Sequence, residues 1–212
     1  MKSPTILEVS GWLQTLGLTR ADGRELRILA PFHEHRELAE QLLRWLADYM
    51  QTSTRPVLVG ETVVCGYAVL KLDSSDPAYL DLHELINDGS ESRLGVSGTL
   101  RVFDEQRRAC VNAGVAYDPP SPARLAAVGE GVLDGLPAWG MRIPSPDHMS
   151  GWWIGTERTA EDYSNVRPVH LYHVTNSRPD LVKFLALSTG CRFDQRDQDR
   201  AWFDAELLDS DE

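Results

Sequence analysis

The histidines are the first candidates for chemistry in this chain of 212 residues. His170 and His173 are close enough in sequence to suggest a shared metal ion. Residues 169–175 are predicted to form a strand, however, and side chains three positions apart in a strand point to opposite faces. His33 and His35 would share a face, but no third ligand accompanies them. We therefore predict that the protein binds neither a metal ion nor any other cofactor.

A thiol and an imidazole can form a nucleophile and its base when the fold brings them together. Cys191 and His148 are the candidates here, and a small hydrolase that uses either of them is one alternative. The odd number and wide spacing of Cys65, Cys110 and Cys191 favour buried free thiols in a reducing cytoplasm. The N-terminus also lacks the features of a signal peptide. The sequence therefore favours a cytoplasmic protein that is not an enzyme.

Two adjacent tryptophans, Trp152 and Trp153, lie in the segment with the densest large side chains, Pro144–Phe193. In a strand they would face opposite ways, so one ring would pack inward and the other would approach the surface. Exposed tryptophan is a common anchor of protein interfaces. Asp147 and His148 precede the pair in a loop framed by prolines. We predict that these four residues bind a protein partner, and burial of both rings in the core is the other interpretation.

The carboxylates are concentrated in two segments of a chain whose net charge is −11. Residues 73–91 contain six carboxylates and no lysine or arginine, whereas residues 194–212 contain eight carboxylates and two arginines. Such segments would repel nucleic acid and attract a basic protein. We therefore predict a basic protein partner, bound in part by Asp81 and Glu84, and no direct contact with nucleic acid. Solvated surfaces that keep the protein soluble are the alternative.

Helices and strands that position these candidates follow from the periodicity of apolar residues. Apolar side chains at positions 6, 9, 12, 13 and 16 predict a helix over Ile6–Leu16, and Leu80–Ile86 is predicted as a short helix. Glu34–Met50 and Thr99–Asn112 have the apolar faces of longer amphipathic helices. Ser121-Pro122 has the residues that begin a further helix. The strands are predicted at Glu25–Ala30, Val57–Val59, Thr62–Leu72, Ala138–Ile143, Gly151–Thr156 and Val169–Thr175.

These elements mix helices and strands without regular alternation, which predicts an α+β fold. Its mixed or antiparallel sheet would pack against several helices. Residues 1–54 are predicted as a helical N-terminal extension on the main α+β domain of residues 55–193, and residues 194–212 as an acidic C-terminal tail. The longest apolar runs are too short to span a membrane, so no membrane contact is predicted.

Four stretches of this sequence occur together in a known family: Gly60–Tyr67, Leu82–Gly89, Pro144–Trp153 and Arg178–Phe193. The third contains His-Met-Ser-Gly-Trp-Trp and the fourth begins Arg-Pro-Asp-Leu. Through them, the chain from about Arg55 to Phe193 resembles the immunity protein 33-like group of bacterial immunity proteins. The resemblance implies tight non-covalent binding of a cognate toxin from a type VI or contact-dependent system. It implies no particular binding residues, and a non-catalytic adaptor is the alternative function.

Overall fold

The computed structural model describes residues 4–18, 23–31, 33–86, 89–161 and 163–209. Thirteen strands within these ranges form two mixed sheets, one of seven strands and one of six. The protein is therefore mostly β, and the predicted α+β fold with a sheet packed against several helices is wrong. None of the helices in these ranges is long and apolar enough to cross a membrane.

The chain divides into two compact units by its internal contacts. The first unit comprises Met1–Cys65 with Val69–Asp104, and the second comprises Gly66–Ala68 with Glu105–Glu212. The domain boundaries predicted after residues 54 and 193 remain predictions. Residues 194–209 contain the end of one strand, a second strand and a short 3-10 helix, whereas residues 210–212 of the predicted acidic tail lie outside the described ranges.

The seven-stranded sheet belongs to the first unit. Its elements are β1 (Thr5–Val9), β2 (Trp12–Leu16), β3 (Glu25–Leu29), α1 (Arg36–Thr52), β4 (Thr62–Cys65), β5 (Ala68–Asp73), β6 (Tyr79–Ile86) and β7 (Glu91–Leu94). The strand order is β1-β2-β3-β6-β5-β4, and β7 also pairs with β6. Helix α2 (Ser97–Ala113) follows, and the division between the two units falls within it. The predicted helices over Glu34–Met50 and Thr99–Asn112 are confirmed as α1 and α2.

The predicted helix over Ile6–Leu16 is wrong, because these residues form β1 and β2, although the helix α1 does lie within the predicted N-terminal extension. Ser10 and Gly11 have φ angles of 50° and 81°, which form the tight turn of an antiparallel hairpin between β1 and β2. In β2 the buried side chains are Leu13 and Thr15, two positions apart, as in a strand. The apolar residues in this short segment fit both periods, and pairing with β3 selects the strand.

The predicted short helix at Leu80–Ile86 is also wrong, because these residues form most of β6. This strand pairs in parallel with β3 and antiparallel with β5 and β7. In this segment Leu80 and Leu82 alternate with Asp81 and His83, but the alternation breaks where the buried Glu84 takes the position of an apolar residue. The spacing of the apolar residues alone therefore did not identify this segment as a strand.

The six-stranded sheet belongs to the second unit. Its elements are β8 (Leu125–Val128), β9 (Trp139–Arg142), β10 (Met149–Gly155), α3 (Glu157–Glu161), β11 (Arg167–His170), α4 (Leu171–Ser177), β12 (Cys191–Asp194) and β13 (Arg200–Phe203). The strand order is β11-β8-β10-β9-β12-β13. Ser121-Pro122 begins a turn into β8, in which the Arg124 amide donates to the Ser121 carbonyl, so the predicted helix there is wrong. The strand predicted over Val169–Thr175 ends at His170, where α4 begins.

One face of the six-stranded sheet carries the core of the second unit. Sixteen buried residues form this cluster, contributed by the strands, by α2, by α4, by the 3-10 helix Pro179–Phe184 and by the loops between these elements. Large rings dominate its centre, where Phe184 and Phe193 stack with centroids 4.6 Å apart. We call this face of the sheet the inner face and the opposite one the outer face.

Candidate functional site

Trp152 lies on the inner face and is fully buried in the core. Its indole nitrogen donates a hydrogen bond of 3.1 Å to the Leu185 carbonyl, and its ring lies 5.5 Å from that of Phe193. A buried tryptophan needs such an acceptor for its N–H group. The structure therefore gives Trp152 a role inside the protein.

Trp153 lies on the outer face and is half-buried. The pairing of the strands places it in a line of outward-facing residues that crosses all six strands, which we call the outer row. The outer row consists of Pro168, Ala127, Trp153, Met141, Arg192 and Trp202 in spatial order. Two large aromatic rings and a methionine in one row give this face the composition of an interface core, in which tryptophan, methionine and arginine are enriched.

Charged groups accompany the outer row. The guanidinium of Arg192 donates to the Asp204 carboxylate at 2.6 Å. The guanidinium carbon of Arg200 lies 5.1 Å from the centre of the Trp202 ring, a distance typical of cation–π contact. The Arg192 pair holds the pKa of Asp204 below its usual range, mainly through this hydrogen bond. The outer face therefore has one ion pair and one cation–π contact beside its aromatic residues.

Asp147 and His148 are exposed in the turn that precedes β10. The Met149 amide donates to the Pro146 carbonyl at 2.9 Å, which closes the turn. The His148 carbonyl accepts a hydrogen bond of 3.1 Å from the Leu125 amide at the start of β8. The backbone of the turn is thus attached to the sheet while both side chains project into solvent. Asp147, His148 and Trp153 are the predicted partner-binding residues that remain accessible.

A polar cleft of about 470 Å³ lies beside this turn. Two segments rich in proline form its walls, residues 118–124 and residues 144–150. Its lining is Asp118, Pro119, Pro120, Ser121, Arg124, Arg142, Pro144, Ser145, Ser150 and Thr189. Sequence reasoning did not identify this cleft, because its lining residues come from separate parts of the chain and share no motif.

Arg142 is the buried cation at the base of the cleft. Its guanidinium donates to the backbone carbonyls of Ser150, Asp118 and Leu187, and it forms an ion pair of 3.1 Å with the Asp118 carboxylate. Burial lowers the pKa of Arg142, and the carboxylate of Asp118 opposes that shift. A buried guanidinium with this many partners fixes the loops around it.

Asp81 is fully buried in β6 of the first unit. It accepts from the Arg27 Nε and from both the amide and the hydroxyl of Ser75. Burial favours the neutral form of Asp81, yet these hydrogen bonds outweigh it, so the pKa of Asp81 lies below its usual range. Arg27 in turn lies between the rings of Trp12 and Tyr79, 4.2 Å and 4.3 Å from their centres. The Asp81 carboxylate is therefore bound by Arg27 and Ser75 inside the first unit and does not reach the surface.

Glu84 is also buried, and it lies against the first turn of α2. Its carboxylate accepts from the Thr99 amide at 2.5 Å and forms an ion pair of 2.8 Å with Arg93. A carboxylate at this place satisfies a free amide of the helix and interacts favourably with the helix dipole. Asp81 and Glu84 thus come from the same acidic segment but lie within internal networks.

The candidate nucleophile Cys191 and the candidate base His148 do not form a catalytic pair among the described residues. Cys191 is fully buried, and its Sγ lies 3.6 Å from the Ser188 hydroxyl. Burial raises the pKa of the Cys191 thiol, so the thiolate is disfavoured. Within the described residues, no hydrogen bond links Cys191 to His148. All three cysteines are free thiols, as predicted, although Cys65 is only partly buried.

His170 and His173 are closer than a strand would allow. Because α4 begins directly after His170, the two rings lie three positions apart around the start of a helix, with centroids 6.5 Å apart. The Tyr172 ring lies beside both, 5.5 Å and 4.0 Å away. Among the described residues, however, no three histidine, cysteine or carboxylate side chains are placed to hold a metal ion. The argument from strand alternation was therefore wrong about the geometry of this pair.

Comparison with known proteins connects this geometry to a family. Residues 105–204 match the family model of the Imm33-like domain. The match confirms the resemblance to immunity protein 33-like proteins for this range, which begins later than Arg55 and extends beyond Phe193. The matched range contains the whole six-stranded sheet and all the residues that line the polar cleft. No curated protein and no solved structure matches the chain.

Proposed function

We propose that this chain, which carries an Imm33-like domain over residues 105–204, neutralises a cognate bacterial toxin by binding it tightly and non-covalently. The family match carries the proposal, since immunity domains act in toxin systems. The toxin would come from a type VI or contact-dependent system, and binding would take place in the cytoplasm of the protected cell. In this proposal the protein blocks the toxin without catalysing a reaction.

The accessible residues of the second unit support a contact surface on and beside β10. We propose that Asp147, His148 and Trp153 contact the toxin directly. Trp153 offers a large apolar ring in the outer row, and the two polar residues occupy a turn whose backbone is anchored to the sheet. Preorganised residues lose little conformational freedom on binding, which favours a tight complex.

The other predicted contact residues, Trp152, Asp81 and Glu84, are buried, so we do not propose that they touch the toxin. Trp152 fills the core behind the outer row, whereas Asp81 and Glu84 stabilise the first unit through ion pairs with Arg27 and Arg93. Substitution of these residues is expected to lower stability before it alters recognition. Long-range attraction to a basic toxin would instead come from the exposed carboxylates of a chain with a net charge of −11.

The proposal is tested by expressing the chain with the product of the adjacent toxin-like gene. We expect the two proteins to co-purify and the chain to protect a sensitive strain from that toxin. A variant that combines Asp147→Asn, His148→Ala and Trp153→Ala should bind at least about tenfold more weakly, because an aromatic anchor is removed from the interface. The matched control, Tyr172→Ala with His173→Ala, removes two exposed rings from the same unit outside the proposed surface.

Two results would contradict the proposal in different ways. If the adjacent gene encodes no toxin and expression protects no strain, the chain is not an immunity protein, and a non-catalytic adaptor becomes the better interpretation. If the wild type binds the toxin and the triple variant binds equally well, neutralisation holds but the contact surface lies elsewhere. Thermal unfolding of each variant separates lost binding from lost structure.

A further inference from the structure

The walls of the polar cleft are held in place by contacts within the protein itself. Its walls contain Pro119, Pro120 and Pro144, which restrict the backbone. The Asp118 amide donates to the Ala186 carbonyl, and the Ile143 amide donates to the Gly151 carbonyl, so both walls are attached to the second unit. A cleft of about 470 Å³ lies within the range of small-ligand sites. The site therefore has a defined shape and a suitable size.

Two arginines with different surroundings face this cleft. The guanidinium of Arg142 donates to three backbone carbonyls and forms an ion pair with the Asp118 carboxylate. Arg124 lines the same cleft, yet within the described part of the chain its guanidinium has no hydrogen bond and no ion pair. The two cations also act on each other, since Arg124 lowers the pKa of Arg142 in addition to the larger effect of burial. An anion near Arg124 would relieve this repulsion.

Hydroxyl groups supply further donors in the cleft. The Ser150 hydroxyl is already used, because it donates to the Leu125 carbonyl at 2.9 Å. The hydroxyls of Ser145 and Thr189 have no hydrogen-bond partner among the described residues. A guanidinium and two hydroxyls in one cleft form a donor set that suits the oxygens of a carboxylate or a phosphate.

We propose that this cleft is a binding site for an oxyanion, a carboxylate or phosphate group, held by Arg124, Ser145 and Thr189. Arg142 keeps the two walls in place, and its charge is balanced by its ion pair with the Asp118 carboxylate. The anion is either a small free molecule or an acidic side chain on the surface of a protein. This site is unusual for an acidic protein, since it presents cations where the net charge would repel anions. The inference goes beyond toxin neutralisation and does not require it.

The test is a titration of the full chain, labelled with ¹⁵N, at constant ionic strength. One arm uses inorganic phosphate, and the other uses a capped Ala-Glu-Ala tripeptide with capped Ala-Gln-Ala as its neutral partner. We expect saturable shifts of the Arg124 side-chain signal and of the Ser145 and Thr189 amides in at least one arm. Arg124→Gln should weaken that binding at least about tenfold, because it removes a charge-assisted hydrogen bond. Ser145→Ala and Thr189→Val should each weaken it less.

Arg167→Gln is the matched control, because it removes the same charge from an exposed arginine outside the cleft. Binding that survives in this control and fails in Arg124→Gln supports the site. Response to phosphate alone identifies a free anion as the ligand, and response to the glutamate peptide alone identifies an acidic side chain. The inference is overturned if neither probe gives saturable shifts, or if the two arginine variants weaken binding equally. Each variant is first checked for the wild-type spectrum and unfolding temperature.

Discussion

Trp152 and Trp153 are neighbours in the sequence but lie on opposite faces of the six-stranded sheet. On the inner face, Trp152 is surrounded by the core, and its one polar atom is hydrogen-bonded to the Leu185 carbonyl. On the outer face, Trp153 lies between Ala127 and Met141 and is half-buried. The same residue type therefore fills the core in one position and is partly exposed to solvent in the next. The environment of a side chain, rather than its type, separates these roles.

In the first unit, the roles of Asp81 and Glu84 likewise depend on their surroundings and not on their residue type. Asp81 and Glu84 belong to a segment of six carboxylates and no lysine or arginine, a composition that suggests a solvated surface. Both are nevertheless buried, and their partners Arg27 and Arg93 come from outside that segment. Charge counted along the chain therefore gave no indication that these carboxylates were paired.

Truncation of the two tryptophans should give the largest difference between the faces. Trp152→Ala is expected to lower the free energy of unfolding by about 3–5 kcal/mol, because it leaves an enclosed cavity in the core. Trp153→Ala should lower it by only about 1–2 kcal/mol, since its site opens to solvent and no enclosed cavity forms. Urea unfolding of both variants measures the difference. Equal losses would show that the outer face is packed as tightly as the inner one.

Two glycines provide a second comparison, because each lies under an aromatic ring. A methyl group at Gly140 would collide with the fully buried ring of Phe193, whereas one at Gly155 would lie 2.5 Å from the half-buried ring of Trp139. Gly140→Ala should therefore cost about 1–3 kcal/mol, because the core cannot make room. Gly155→Ala should cost less, about 1–2 kcal/mol, because the half-buried Trp139 ring can move outward at the cost of its hydrogen bond to the Thr156 carbonyl. Thermal unfolding distinguishes the two, and a larger loss for Gly155→Ala would show that the outer rings are rigid.

A pH titration tests the buried guanidinium that supports the inner face. Arg178 is buried, donates to the carbonyls of Val132 and Leu136, and pairs with Asp180 at 2.7 Å. Its hydrogen bond lowers the pKa of Asp180 to about 2. Because the folded pKa is below the unfolded one, this stabilisation is complete above about pH 4 and is lost as the pH falls towards 2.

The effect of this pair should be the smallest of the three, because the Asp180 side chain is about half exposed and solvent weakens the interaction. Asp180→Asn should flatten the fall in unfolding free energy between pH 4 and pH 2. Urea unfolding over this range, with the wild type measured in parallel, gives the slope. An unchanged slope in the variant would place the acid sensitivity in other carboxylates.

Sequence periodicity predicted the long helices well and the short segments poorly. The apolar faces of Glu34–Met50 and Thr99–Asn112 extend over several turns, so only a helix satisfies them. The Ile6–Leu16 segment is short, and its Ser10-Gly11 pair forms the turn of a hairpin. In β6 the buried Glu84 takes the position of an apolar residue and breaks the alternation. In both of these segments the pairing of distant strands decided the structure.

The candidate site was predictable only in part. Loop composition placed Asp147 and His148 at the surface, and strand alternation separated the two tryptophans. The cleft was missed because its lining depends on contacts over long distances in the chain. Arg142, for example, donates to carbonyls 24 and 45 positions away. Such pairing leaves no local pattern of residue types.

The sequence by itself determined the family resemblance, the two long helices and the fact that adjacent tryptophans in a strand face opposite ways. These features depend on local order, since the backbone repeats every two residues in a strand and every 3.6 in a helix. Only the tertiary structure decided that Trp152 faces inward, that Asp81 and Glu84 are paired, and that Arg124 is left unpartnered in a cleft among the described residues. The physical reason is that desolvation and ion pairing depend on neighbours brought from distant positions, which no local pattern records.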